Sequence, residues 1–186
     1  MAKSGKGSSF ERFLCKLLSN WASKDKNDFL FWRSVSSGAL STVRSKAGKA
    51  TAGQEGDITA VHPYGELILK DLTIEAKCGY QSSTIHDLLD MPAKNKTNIY
   101  AGFIAQCIRE MEDSGKQSFW LIHKRDRREA TITMPYAFMQ KYFDIFGDFK
   151  GFSLQYTYKD IKLITCRLED WLEWFKPEIV FGPFEE

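Results

Sequence analysis

The 186-residue sequence predicts an α/β protein in which helices flank a central β-sheet, and three stretches carry that prediction. Residues 98–111 place apolar side chains at the spacing of an amphipathic helix. The apolar run at 118–123 is continuous, which is typical of a strand covered on both faces of a sheet. Residues 56–79 predict two strands joined by a turn at 63–65.

One helix and one strand are predicted ahead of this region. Ser8 or Ser9 can cap a helix that runs to about Trp21, since its apolar residues recur at helical spacing. Glu11 would lie in the first turn of that helix, where a carboxylate suits the helix dipole. The aromatic run at 29–35 predicts a strand.

Helices and strands are also predicted in the rest of the chain. Further predicted elements are a short helix near 85–89, a turn at 124–128, a strand at 130–134, a helical pattern at 136–146, strands at 152–158 and 161–166, and a helix at 168–175. We therefore expect a core of residues 1–146, with residues 1–7 mobile. Residues 147–186 are expected to form a C-terminal extension packed on that core.

Basic residues are concentrated near the N-terminus. Residues 1–50 contain ten Lys or Arg and three Asp or Glu, although the whole chain has 26 basic and 24 acidic residues. Residues 40–55 are small, polar and basic without periodicity, and a loop of that length is more often functional or disordered than structural. The pattern indicates either a surface that faces a polyanion or a solvated basic arm.

Cysteine usage and hydropathy exclude several classes of protein. The four cysteines are widely spaced, so neither a zinc site nor a disulfide framework is indicated. The N-terminus lacks the apolar segment of a signal peptide, and no apolar run reaches the length of a membrane span. We expect a soluble, cytoplasmic protein that has no membrane partner.

A charged pair ends the second strand of the 56–79 region. Glu75 and Lys77 share one face because strand side chains alternate. Asp57 would lie beside them if the two strands pair antiparallel. Two carboxylates suit a hydrated Mg²⁺ that also takes a phosphate oxygen, and a neighbouring lysine can orient or deprotonate the attacking water. The alternative is an ordinary surface ion pair, which contributes only about 0–1 kcal/mol.

The ordered set of acidic and basic residues resembles the PD-(D/E)XK nuclease superfamily, whose members share a restriction-endonuclease-like fold with a central mixed β-sheet flanked by helices. The resemblance rests on Glu11, Gly56-Asp57 and Glu75-Ala76-Lys77. Gly56 stands where the name of the superfamily has proline. Residues 6–80 are more narrowly similar to archaeal-type Holliday-junction resolvases, through the segments 6–12, 33–34, 37–39, 56–60 and 74–77.

The resemblance implies roles for individual residues. Asp57 and Glu75 would bind Mg²⁺, with the carbonyl of Ala76 as a third ligand and Mn²⁺ as a substitute ion. Lys77 would activate or orient the water, and Glu11 would bind the metal through water or hold a second ion. The residues expected to meet the DNA backbone are Arg33, Ser37, Arg44, Lys46, Lys49 and Lys124.

These residues predict a Mg²⁺-dependent DNA endonuclease. The narrower likeness implies a structure-selective enzyme that acts on branched or duplex DNA as a homodimer, because resolving a four-way junction needs two symmetric cuts. One alternative is a sequence-specific restriction-type or phage DNA-processing nuclease. A catalytically silent DNA-binding module of the same fold is the other. A phage-encoded or nucleoid-associated protein fits these functions.

Overall fold

The computed structural model describes residues 6–34, 56–90 and 98–185. The N-terminal elements are α1 (Lys6–Ser23), β1 (Phe31–Arg33), β2 (Ile58–Ala60), α2 (Pro63–Leu69), β3 (Leu72–Cys78) and a 3₁₀ helix (Ile85–Leu88). They are followed by α3 (Ile99–Ser114), β4 (Ser118–Lys124), β5 (Thr131–Pro135), α4 (Tyr136–Gln140) and α5 (Phe143–Phe146). The described chain ends with β6 (Ser153–Tyr158), β7 (Ile161–Arg167), α6 (Leu168–Trp174) and α7 (Pro177–Phe181).

Five strands form one mixed sheet in the order β3-β4-β5-β7-β6. The β3–β4 pair is parallel and the other three pairs are antiparallel. Strands β1 and β2 form a separate antiparallel pair. The sheet is mixed and flanked by helices, which confirms the predicted fold class and a restriction-endonuclease-like architecture.

The sheet buries a different apolar cluster on each face. On one face, α1, α2 and α6 pack over a cluster that includes Ile74, Trp120 and Ile132. On the other face, α3 packs over Phe119 and Leu121. Successive residues of β4 therefore enter opposite clusters, and this explains why the apolar run at 118–123 has no alternation.

Helix α3 has a defined cap at each end. The side chain of Asn98 accepts a hydrogen bond from the N–H of Ala101 at 2.9 Å. Gly115 follows the last turn in the left-handed conformation, with φ of 68°. The helix is thus longer at its C-terminal end than the predicted 98–111, and it crosses the face of the sheet that carries Glu75.

The turn predicted at 63–65 is wrong, because these residues begin helix α2. The His62 side chain accepts a hydrogen bond from the Tyr64 N–H at 3.1 Å, and Pro63 occupies the first helical position, where its missing N–H is harmless. The second strand predicted for residues 56–79 is therefore β3 alone. The predicted antiparallel pairing between the two strands of this region is also wrong, since β2 pairs with β1.

Three other boundaries differ from the sequence prediction. Helix α1 begins at Lys6, so the predicted serine cap is wrong and Glu11 lies beyond the first turn. Strand β1 is shorter than 29–35, because the N–H groups of Phe29 and Leu30 donate to the side chains of Asn27 and Ser19. The predicted helix at 136–146 is two short helices, α4 and α5.

The C-terminal strands belong to the same five-stranded sheet. Strand β7 lies between β5 and β6, which confirms the two predicted strands. The following helix α6 buries Trp171, and the indole N–H of Trp21 donates to the Leu172 carbonyl at 2.9 Å. Within the described residues, none of the helices is long and apolar enough to span a bilayer.

Candidate active site

Asp57 lies against the outer edge of β3. Its backbone N–H donates to the Ile74 carbonyl at 2.8 Å, and its Oδ2 accepts a hydrogen bond from the Ala76 N–H at 2.9 Å. The carboxylate is therefore fixed at the strand edge between Glu75 and Lys77. This is the position that sequence analysis predicted, although the chain reaches it without pairing β2 to β3.

Gly56 makes this close approach possible. Its φ is +80°, and a Cβ at this position would lie 2.6 Å from the Ile74 carbonyl oxygen. A side chain at residue 56 would clash with the backbone of β3, so only glycine fits. The Ser34 hydroxyl donates to the Gly56 carbonyl at 2.8 Å and fixes the same turn from the other side.

Glu75 and Lys77 form an ion pair on the α3 side of β3. The Glu75 side chain is in the interior, since the residue is only 3% exposed. The Lys77 ammonium lies 5.6 Å from the centre of the Phe103 ring, within the range of a cation–π contact. The expected shared face of the two charged residues is thus confirmed, while Ala76 enters the apolar cluster on the opposite face.

Burial dominates the electrostatics of the pair of carboxylates. It raises the pKa of Glu75 well above its ordinary value, and the negative charges of Asp57 and Glu110 raise it further. Burial also raises the pKa of Asp57, against the opposing effects of the Ala76 hydrogen bond and Lys77. An added cation would favour the ionised form of both carboxylates.

Lys77 responds in the opposite sense. Burial alone would lower its pKa, but the charge and hydrogen bond of Glu75, together with the charge of Asp57, raise it above the ordinary value. The side chain is consequently an ammonium at neutral pH. It can donate hydrogen bonds and offset negative charge, and it has no tendency to accept a proton.

Sequence analysis missed two residues of α3 that extend the site. The Gln106 amide donates hydrogen bonds to Glu75 Oε1 and to Glu110 Oε1, both at 2.8 Å. Burial raises the pKa of Glu110 as well. Gln106 and Glu110 lie three and seven residues after Phe103, so helical spacing from that buried aromatic was the available signal.

Glu11 approaches the same cleft from α1. Its carboxylate is buried and binds the guanidinium of Arg33, with 2.5 Å between Glu11 Oε2 and Arg33 Nε. Because Glu11 lies beyond the first turn, the Arg33 contact accounts for this acid better than the helix dipole does. The cleft has a volume of about 260 Å³ and is lined by Gly7, Glu11, Asp57, Ala76, Lys77, Cys78 and Tyr80.

Only part of the predicted DNA-binding set falls within the described residues. Arg33 lies on β1 beside Glu11, and Lys124 ends β4 with its ammonium 5.8 Å from the centre of the Phe13 ring. The chain then turns through three arginines, Arg125, Arg127 and Arg128. The remaining predicted residues, Ser37, Arg44, Lys46 and Lys49, lie outside the described residues.

The donor set fits a hydrated magnesium ion better than a metal fully enclosed by protein ligands. In the described segments, no three His, Cys, Asp or Glu side chains are grouped in a way that could hold a metal. Asp57 and Glu75 nevertheless bring two mutually repelling carboxylates to one strand edge, and Asp57 and Ala76 line the cleft. Mg²⁺ is usually held by one or two carboxylates and keeps several waters, so a pair of carboxylates is compatible with a hydrated ion.

A family model described as Phage putative PDDEXK endonuclease matches residues 2–181. The chain belongs to this family. The match covers nearly the whole sequence and supports the PD-(D/E)XK superfamily, whereas the resolvase subtype is not part of the match. No curated protein and no solved structure matches the chain. The cleft around Asp57 thus lies in a member of a putative PD-(D/E)XK endonuclease family.

Proposed function

We propose that the chain is a Mg²⁺-dependent endonuclease that hydrolyses phosphodiester bonds in DNA. The observation that supports this proposal is the meeting of Asp57 with Glu75 and Lys77 at the β3 edge, where Asp57 and Lys77 line a cleft. The family match supports nuclease chemistry and a phage-encoded protein. The intact set of charged residues argues against a silent DNA-binding module.

Asp57 and Glu75 are proposed to hold the ion, with the Ala76 carbonyl as a third ligand and Mn²⁺ able to substitute for Mg²⁺. When bound, such an ion lowers the pKa of a coordinated water and offsets charge on the phosphate. The hydrogen bond from the Ala76 N–H orients Asp57, and the Gln106 amide orients Glu75. Both carboxylates are therefore fixed before a ligand arrives, which reduces the ordering needed on binding.

Lys77 is proposed to act as an electrostatic stabiliser. Its raised pKa keeps it charged, so it can donate a hydrogen bond to the attacking water or to a phosphate oxygen as negative charge develops. Removal of a proton from the water by Lys77 is the alternative role.

Glu11 and Arg33 are proposed to act together on the α1 side of the cleft. Glu11 fixes the Arg33 guanidinium, which is suited to contact a phosphate of the DNA backbone. In this arrangement Glu11 acts mainly through Arg33. Direct or water-mediated metal binding by Glu11 is the alternative role. Lys124 and the segment with Ser37, Arg44, Lys46 and Lys49 are proposed to continue the backbone contacts.

The type of DNA is the finer part of the proposal. Similarity of residues 6–80 to junction resolvases supports branched DNA and a homodimer that makes paired cuts. The phage family supports a second candidate, a phage DNA-processing nuclease that acts on linear duplex at a fixed sequence. Four-way junctions, duplexes and single strands of matched sequence, each tested with Mg²⁺, separate these two activities.

The decisive test replaces each proposed ligand with its neutral isostere. Asp57→Asn and Glu75→Gln should each lower cleavage by about a hundredfold or more, because both remove charge that holds the ion. Isothermal calorimetry with Mg²⁺ and Mn²⁺ should show binding to the wild type that both variants lose. The matched control is Asp160→Asn, in the turn between β6 and β7.

That control should cleave and bind metal as the wild type does. Absence of cleavage on every substrate, or activity that survives both ligand substitutions, would refute the proposed nuclease. Binding of DNA without binding of either metal would instead favour the silent module.

A further inference from the structure

Tyr80 places an exposed aromatic ring in the cleft that contains Asp57 and Lys77. The residue lies two positions after the end of β3, lines the cleft and is 43% exposed. One part of its ring packs against Phe103, with 4.8 Å between ring centres and 69° between planes. Phe103 also contacts the Lys77 ammonium, so the Tyr80 ring and the Lys77 ammonium pack against the same side chain.

The backbone around Tyr80 is held to the turn between β4 and β5. The Gly79 N–H donates to the Lys124 carbonyl at 3.1 Å, and the Asp126 N–H donates to the Gln81 side-chain oxygen at 3.0 Å. The Tyr80 carbonyl accepts from the Ser83 N–H at 3.1 Å. The ring is therefore presented from an ordered segment, which lowers the entropic cost of stacking a ligand on it.

The turn that holds this segment is basic. It carries Lys124, Arg125, Arg127 and Arg128 against Asp126 and Glu129. Arg127 and Arg128 are exposed, and Glu129 lies 3.8 Å from Arg167, so part of the local acidity is already paired. A polyanion leaving the cleft past Tyr80 would meet positive charge.

We propose that Tyr80 stacks on an unpaired base next to the phosphate that is cut, while the Arg127 and Arg128 turn contacts the backbone of the same strand. The inference rests on the proposed function and names its substrate class: DNA with unpaired nucleotides at the cleavage point. Bases inside an intact duplex have both faces covered by their neighbours. A fixed aromatic ring in the cleft therefore gains a partner only where a base has left the stack.

Binding without cleavage tests the stacking contact. A forked DNA that carries 2-aminopurine in its unpaired stretch is titrated in EDTA, and stacking on Tyr80 is read as quenching of the probe. Tyr80→Leu should remove the quenching and weaken binding of the fork by about tenfold. Tyr80→Phe keeps the ring and should retain both. The matched control is Phe152→Leu, since Phe152 is 72% exposed next to β6 at the opposite edge of the sheet.

Comparison of substrates separates stacking from general loss of affinity. Tyr80→Leu should weaken the forked DNA far more than a fully paired duplex of the same sequence. Arg127→Gln with Arg128→Gln should weaken both by similar factors and flatten the salt dependence of binding. Equal losses on fork and duplex in Tyr80→Leu, or quenching that survives this substitution, would overturn the proposal.

The same assay keeps this inference distinct from the proposed nuclease activity. Asp57→Asn should abolish cleavage and still quench the probe, because Tyr80 and its support are unchanged. If the wild type cleaves no DNA, the proposed function fails, and the quenching in EDTA still decides whether Tyr80 stacks on a base. Circular dichroism with thermal unfolding checks that Tyr80→Leu remains folded.

Discussion

The two outer strands of the five-stranded sheet differ sharply. In β3 the first five residues are buried, including Glu75, and the turn at Asp57 covers the free edge. None of the six residues of β6 is buried, since three are half-buried and three are exposed. A sheet edge can thus be either a solvated boundary or a covered site for charged groups. At the covered edge, burial raises the pKa of both Asp57 and Glu75.

The largest expected difference between the two edges is catalytic. Lys77→Met should lower DNA cleavage by about 10²–10⁴-fold, because it removes the ammonium that offsets developing charge. Lys159→Met, in the turn after β6, should leave the rate unchanged. Single-turnover cleavage with saturating Mg²⁺ measures both variants. Equal effects of the two substitutions would remove the functional distinction between the edges.

Loss of a side chain should also reduce the free energy of unfolding more at β3 than at β6. Ile74→Ala in β3 should lower the free energy of unfolding by about 2–5 kcal/mol, because the side chain is 1% exposed and leaves a cavity. Leu154→Ala in β6 should lower it by about 1 kcal/mol or less, since this side chain is 40% exposed. Urea denaturation of both variants gives the comparison. Similar losses would mean that β6 is buried in solution.

The smallest expected effect is a pH dependence near the β3 edge. Burial, together with Arg125, lowers the pKa of His123 from 6.5 to about 4. The unfolded chain binds this proton near pH 6.5 and the folded chain only near pH 4, so the contribution of His123 to stability falls as pH falls through that window. Relative to His123→Phe, the wild type should lose about 1–3 kcal/mol between pH 7 and pH 4.

Thermal and urea unfolding of both proteins at several pH values check this prediction. The difference between the two proteins isolates His123 from the carboxylates, whose raised pKa values act in the opposite direction at low pH. Parallel stability curves for the wild type and His123→Phe would contradict the prediction.

Local patterns were sufficient for much of the sheet and for the charged pair. The alternation at 72–78 placed Glu75 and Lys77 on one face, and the unbroken apolar run at 118–123 indicated an interior strand. The helix at Pro63 was missed because Pro-Tyr-Gly is typical of a turn, and only the cap made by the His62 side chain distinguishes a helix start.

The parts of the candidate site that the sequence did not predict depend on tertiary contacts. Gln106 and Glu110 are ordinary polar positions of an amphipathic helix until α3 docks over Glu75. Glu11 would lie in the first turn of a helix that is capped by Ser8 or Ser9, whereas α1 begins at Lys6. In each case the missing information was which element packs against which, and that depends on contacts between residues far apart in the chain.

The geometry of Gly56 has a practical consequence for motif searches and for consensus redesign. A proline ring fixes φ near −65°, whereas residue 56 adopts +80° with the Ile74 carbonyl directly beside it. Replacing Gly56 with the proline that gives the superfamily its name would therefore displace Asp57 from the edge of β3. A search pattern that demands proline would overlook this chain, so the geometry before the aspartate is a better criterion than the residue type.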